Sequence, residues 1–201
     1  MNTNIRGKEK GIIIHNIIEK INNWYAEDNI NEEYIINIIS SYSEPIDNET
    51  QQDHLNMLEN IKMLVNSSLF QRYKNYFSAA KFEYEIHLPF ENNYLYGIID
   101  CLIKNKDDIY EIWDWKTNNV NNINELREQY YLQMLLYIYL LMHLYPEQDK
   151  FIARIISTEL IKKETEEEKW VFSIEKSRTE IKNIEHEIQK IVNNTLIQVE
   201  N

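Results

Sequence analysis

Apolar residues recur at helical spacing over residues 11–25, where Ile14, Ile17, Ile18, Ile21 and Tyr25 share one side. Residues 31–42 repeat the pattern and predict a second short helix. The polar segment SEPIDNETQQ, 43–52, reads as a loop. Helical spacing resumes over 53–76, with Leu55, Leu58, Ile61 and Val65 on one side.

The texture changes at Lys81. Three runs, KFEYEIHLPF, YLYGIIDCLI and IYEIWDWKT, are rich in aromatic and β-branched residues and predict strands. ENN at 91–93 and KNKDD at 104–108 separate them with turn residues, which predicts an antiparallel meander. Pro89 suits an edge strand or a strand end. A long helix is expected over 123–144, stopping before Pro146. Two further strands, FIARIIST and KWVFSI, follow, with the acidic run Glu164 to Glu168 in the turn between them. A last helix is expected over 178–197, where Ser177 and Glu180 have the spacing of a capping box. Helices, three strands, a helix, two strands and a helix predict an α/β fold, a mixed sheet flanked by helices with extra helices in front.

The chain has 201 residues, a length that suits one domain over 1–201, with 43% hydrophobic residues to build its core. The formal net charge is −12, and the lysines and arginines form no dense run. A free-standing protein that grips DNA commonly shows a basic footprint, so a metal or a partner has to offset the acidic balance. The single cysteine, Cys101, excludes an internal disulfide, a four-cysteine zinc site and an iron–sulfur cluster. The longest apolar run, Met134 to Met142, is far short of the roughly 20 residues that span a bilayer. The polar opening lacks the form of a signal peptide, so no membrane partner and a cytoplasmic location are expected. There is no Gly-x-x-x-x-Gly-Lys-Ser/Thr loop, hence no nucleotide cofactor.

Candidate chemistry centres on Ile112-Trp113-Asp114-Trp115-Lys116-Thr117. Strand alternation points Asp114 and Lys116 the same way. A meander lays Asp100, in Gly97-Ile98-Ile99-Asp100, on the neighbouring strand, so two carboxylates converge. Carboxylates held together repel and favour a cation between them; hard oxygen donors suit Mg²⁺ or Mn²⁺ rather than structural zinc. An ordinary salt bridge on a solvated face is the competing reading of the Asp–Lys pair. Gly11-Ile12-Ile13-Ile14-His15 lies on the first helix, Glu85 and Glu83 precede Pro89-Phe90, and Gln133-Met134-Leu135-Leu136-Tyr137 puts Gln and Tyr on one helical face.

In this order these motifs resemble the RecB-like branch of the PD-(D/E)XK nucleases, which includes the nuclease domains of RecB and AddA helicase–nucleases. The likeness covers a motif-bearing core over 7–140; residues 147–201 carry no motif and read as strands and a C-terminal helix. The resemblance implies a restriction-endonuclease-like core. It implies that His15, Asp100 and Asp114 ligate Mg²⁺ or Mn²⁺, with the Trp115 backbone carbonyl as a further ligand. Glu85, favoured over Glu83, assists through water, and Lys116 assists the attack. Gln133 and Tyr137 position the DNA strand. The implied activity is metal-dependent cleavage of DNA, chiefly single-stranded, fed by a helicase domain or subunit. The alternative is a catalytically silent module of the same fold in a repair complex.

Overall fold

A computed structural model describes residues 7–26, 29–42, 48–90 and 93–199. Helices α1 (Gly7–Glu19) and α2 (Ile21–Trp24) precede two very short strands, β1 (Tyr25–Ala26) and β2 (Asn29–Ile30). Helices α3 (Glu32–Tyr42), α4 (Asn48–Val65) and α5 (Ser68–Tyr73) follow, then a 3₁₀ turn over Lys74–Ala79. Strands β3 (Lys81–Phe90), β4 (Asn93–Lys104) and β5 (Tyr110–Lys116) come next. The chain continues through α6 (Ile123–Leu144), β6 (Lys150–Ser157), β7 (Val171–Ser177) and α7 (Ile181–Val199).

The main sheet has the order β3-β4-β5-β6-β7. Its pairs are antiparallel except β5 with β6, which run parallel. A parallel pair needs a crossover, and α6 supplies it. The fold is therefore α/β, a mixed sheet flanked by helices with additional N-terminal helices, as the order of patterns predicts. Pro89 lies on β3, an edge strand, where a missing N–H breaks no inner ladder.

The loop expected at 43–52 is corrected in part: α4 starts at Asn48, and 43–47 lie outside the described residues. The helix expected over 53–76 is divided. Ser67 takes an extended conformation and its side chain accepts from the N–H of Phe70, so it starts a new helix. Leu55, placed on the apolar side, is exposed. The first helix also breaks, at Lys20. The capping box of Ser177 and Glu180 forms as its spacing predicts.

Strand β5 is central because both its faces are buried. Trp113 and Trp115 pack against Phe70 at 5.6 Å each, and Trp113 also meets Phe77 and Tyr73. On the other face Tyr110 stacks on Tyr145, at the end of α6, at 4.2 Å. The turn after β4 is built by Asn105, whose Oδ1 accepts from the N–H groups of Asp107 and Ile109, and Asp108 takes a left-handed φ of 63°. No helix among the described residues is long and apolar enough to cross a membrane.

Candidate metal centre

The site begins where a ladder ends. Strand β4 pairs with β5 from Lys104↔Tyr110 to Cys101↔Trp113 and then leaves it. Beyond that rung the backbone of Trp115 faces the gap. Its N–H donates to Oδ2 of Asp100 at 2.8 Å, and its carbonyl lies 3.1 Å from Nε2 of His15. Side chains from β4 and α1 thus take the place of the missing strand rung, satisfying groups that burial would otherwise make costly.

A carbonyl only accepts, so Nε2 of His15 carries the hydrogen. In a neutral ring Nδ1 then holds the lone pair. It faces Asp100 Oδ2 at 3.7 Å and Glu83 Oε1 at 3.9 Å. One ligand atom from each of His15, Glu83 and Asp100 lies within 4.8 Å of the others. The Trp115 carbonyl, expected as a further ligand, accepts from the His15 ring and orients it.

Glu83 rather than Glu85 stands in the cluster. Glu83 has a left-handed φ of 46° near the start of β3, between the rungs Phe82↔Cys101 and Tyr84↔Ile99 that flank Asp100 on β4. Glu85 is exposed, with its carboxylate 4.0 Å from His87. Side-chain alternation puts both on one face and cannot separate them. The departure from regular strand geometry at Glu83 separates them, and no composition rule announces it.

Asp100 and Asp114 are the residues next to the last β4–β5 rung, Cys101↔Trp113, on their respective strands. Burial pushes the Asp100 carboxyl up, the charge of Asp114 adds to this, and His15, the Trp115 N–H and Lys116 offset it in part, leaving it at about 7. Asp114 is 1% exposed, and burial raises its pKa too, against the pull of Lys116. The Lys116 ammonium is 2.5 Å from Asp114 Oδ2, but neither oxygen of Asp114 receives a well-directed hydrogen bond. The contact is one of charge, bent away from hydrogen-bond geometry.

Glu111, also on β5 and fully buried, shows what a structural acid looks like here. It accepts from Tyr73 and Asn105 at 2.6 Å each, from Arg154 at 2.8 Å and from Trp113 at 3.3 Å. Burial alone would raise its pKa, yet Arg154, Tyr73 and Asn105 bring it below the usual value. Asp114 has no such set of donors. A buried carboxylate left short of hydrogen bonds, beside a second one whose proton is held, fits a cation binder. Carboxylate oxygens with one imidazole are donors suited to Mg²⁺ or Mn²⁺.

The description "PD-(D/E)XK nuclease superfamily" belongs to a family model that matches residues 3–200. The chain belongs to this superfamily. The pattern in its name finds Asp100, then Asp114-Trp115-Lys116, in this PD-(D/E)XK chain, with Ile99 where the name writes Pro. A solved structure, the crystal structure of SSO0001, is similar over 90% of this chain and 85% of that one, at 15% identity and a TM-score of 0.35. No curated protein matches.

Two glycines seat the helices that serve the PD-(D/E)XK site. A Cβ on Gly11 would stand 3.2 Å from Oγ1 of Thr117, so α1 lies close over the end of β5 and carries His15 inward. Tyr137 packs against Gly97, and its hydroxyl accepts from the Gln133 amide at 2.7 Å. Burial raises the Tyr137 pKa, with Asp114, Asp100 and Glu83 contributing negative charge nearby. Gln133 and Tyr137 therefore form a joined pair close to the carboxylates. Tyr130 lies on the same helix, α6. Its ring lies 4.1 Å beneath the Lys116 ammonium, and its hydroxyl donates to Asn118 Oδ1 at 3.2 Å. The approach joins a strand end to the following helix across a turn, and no spacing rule encodes it.

Proposed function

We propose that this chain is a metal-dependent deoxyribonuclease of the RecB-like branch, with His15, Glu83 and Asp100 holding Mg²⁺ or Mn²⁺ and Asp114 completing the set. The observation that carries the reading is the convergence of those three ligand atoms within 4.8 Å beside a buried Asp114 that has the Lys116 ammonium next to it but, among the described residues, no well-directed hydrogen bond. When bound, such a metal polarises a phosphoryl oxygen and lowers the pKa of a water. The chain's own residues do the rest. His15 is fixed by the Trp115 carbonyl, so its Nδ1 is aimed before any ligand arrives. Lys116, held between Asp114 and the Tyr130 ring, presents positive charge to a phosphate on which negative charge develops. Gln133 and Tyr137 position the strand through their paired amide and hydroxyl.

The substrate proposed is DNA, chiefly single-stranded, supplied by a helicase domain or subunit in the same chain or complex. The order of motifs from Gly11-x-x-x-His15 to Gln133-x-x-x-Tyr137 supports this branch, and the net charge of −12 favours a partner that brings the DNA. The test is cleavage of end-labelled single-stranded DNA with Mg²⁺, Mn²⁺ or EDTA, beside Asp114→Ala. Metal-dependent cutting that the variant loses is expected. No cutting by the wild type on DNA or RNA would favour the silent module if Mn²⁺ binding were absent too, and a domain that needs its helicase if Mn²⁺ still bound.

A further inference from the structure

The negative charge of the chain is unevenly placed around the site. One cleft beside the cluster is lined by His15, Glu19 and Glu83 among others, and it meets a second cleft at Gly11. The second cleft, of about 610 Å³, is lined by Lys8, Lys10, Thr117, Asn118, Asn119 and Glu159 besides Gly11. Lys8 and Lys10 come from the start of α1, and Thr117 directly follows Lys116 at the end of β5. Glu159 pairs with Lys10 and lies 2.8 Å from Lys162. Two lysines therefore pair with one glutamate, and Lys8 lines the same cleft, an excess of positive charge in a chain of net charge −12. The side chains of Lys8, Thr117 and Asn119 make no hydrogen bond or ion pair among the described residues.

We propose that this second cleft binds a phosphate of the nucleic-acid strand adjacent to the bond being cut, with Lys8 and Lys10 as its charge partners. The inference rests on the nuclease reading and names how its substrate is held. Two ammonium groups, a hydroxyl and two side-chain amides offer donors on several sides, which matches the many acceptor oxygens of a phosphate. Among the described residues, no aromatic or large apolar side chain that could stack on a base lines the cleft. It reads backbone and not sequence. Glu159 holds Lys10 near the cleft and limits its attraction, since an arriving phosphate competes with that carboxylate.

The experiment is anisotropy binding of short 3′-labelled single-stranded DNA in EDTA, so that neither cutting nor metal enters. Oligonucleotides carrying a 5′-phosphate or a 5′-hydroxyl are compared on the wild type, Lys8→Ala/Lys10→Ala and Glu159→Gln. The double variant should bind roughly tenfold or more weakly, with a shallower salt dependence, and Glu159→Gln should bind more tightly. An equal loss on both oligonucleotides assigns the cleft to an internal phosphate; a loss confined to the 5′-phosphate assigns it to a strand end. Unchanged affinity and salt slope in the double variant, or no wild-type binding in EDTA, would overturn the proposal. Lys8→Glu alone, an exposed change that leaves the fold alone, should weaken binding as well and guards against a misfolded double variant. Metal-dependent cutting by the wild type is read separately, so failure of the nuclease reading and failure of the phosphate cleft are distinct results.

Discussion

A methyl group on Gly97 would stand 2.8 Å from Cε1 of Tyr137 and 3.0 Å from its Cδ1, so the tyrosine ring occupies the space of the missing side chain. The glycine is required by packing and not by backbone conformation, because no described glycine has a positive φ. Gly97→Ala should therefore push the ring aside, and its methyl would also stand 3.1 Å from Cδ1 of Leu140. The expected cost is about 1–3 kcal/mol in urea unfolding, with a loss of cutting greater than the loss of fold because the Gln133–Tyr137 pair moves too. Wild-type stability in this variant would mean that the ring yields freely.

Asp100 should make stability and metal binding depend on pH in opposite senses. Its folded pKa, about 7, lies above the ordinary 3.8. Below about pH 3 the carboxyl is largely protonated in both folded and unfolded chains and has little effect. As pH rises toward 7 the unfolded chain releases this proton and the folded chain keeps it, so the metal-free protein loses stability. Asp100→Asn retains an acceptor for the Trp115 N–H and removes the charge. It should raise stability at pH 8 by on the order of 2 kcal/mol and change little at pH 4. A wild-type pH slope in the variant would place the titration elsewhere.

The same proton must leave before Asp100 can ligate a cation. Apparent Mn²⁺ affinity should therefore climb about tenfold per pH unit below pH 7 and level off above it. Calorimetry in buffers of different ionisation enthalpy would show close to one proton released near pH 6 and none at pH 8.5. A flat profile would remove Asp100 from the ligand set.

Lys116→Ala should abolish cutting and leave Mn²⁺ binding largely intact, whereas Asp114→Ala should lose both. The ring beneath the ammonium adds a finer test. Tyr130→Phe keeps the π face and should cut nearly as the wild type does. Tyr130→Ala removes an attraction of about 0.5–2 kcal/mol and should slow cutting by about 2- to 30-fold. Equal rates in the two variants would mean that Lys116 is held by Asp114 alone.

Strands and long helices were legible because period and turn residues act locally: the meander, α6 and the capping box at Ser177 all follow from neighbours in sequence. Gly11 and Gly97 are two of only three glycines in 201 residues, although the reason for each, close approach to Thr117 and to Tyr137, is tertiary. What sequence could not reach depends on strands parting. That β4 leaves β5 after Cys101, freeing the Trp115 backbone for Asp100 and His15, has no local signature. The break between α4 and α5 was hidden because apolar spacing continues across Ser67.

Glu83 and Glu85 offer the sharpest test of that geometry, because they are alike in chemistry and two residues apart. Burial raises the pKa of Glu83 against the pull of His15, which is expected of a carboxylate drawn into the cluster. Glu85, with its side chain 63% exposed, has His87 alone within ion-pair range among the described residues. Glu83→Gln should weaken Mn²⁺ binding about tenfold or more, as loss of a charged ligand does. Glu85→Gln should bind Mn²⁺ and unfold as the wild type does, since an exposed substitution shifts stability by no more than about 0.5 kcal/mol. If Glu85→Gln were instead the weaker metal binder, the left-handed turn at Glu83 would not be the feature that selects the third ligand.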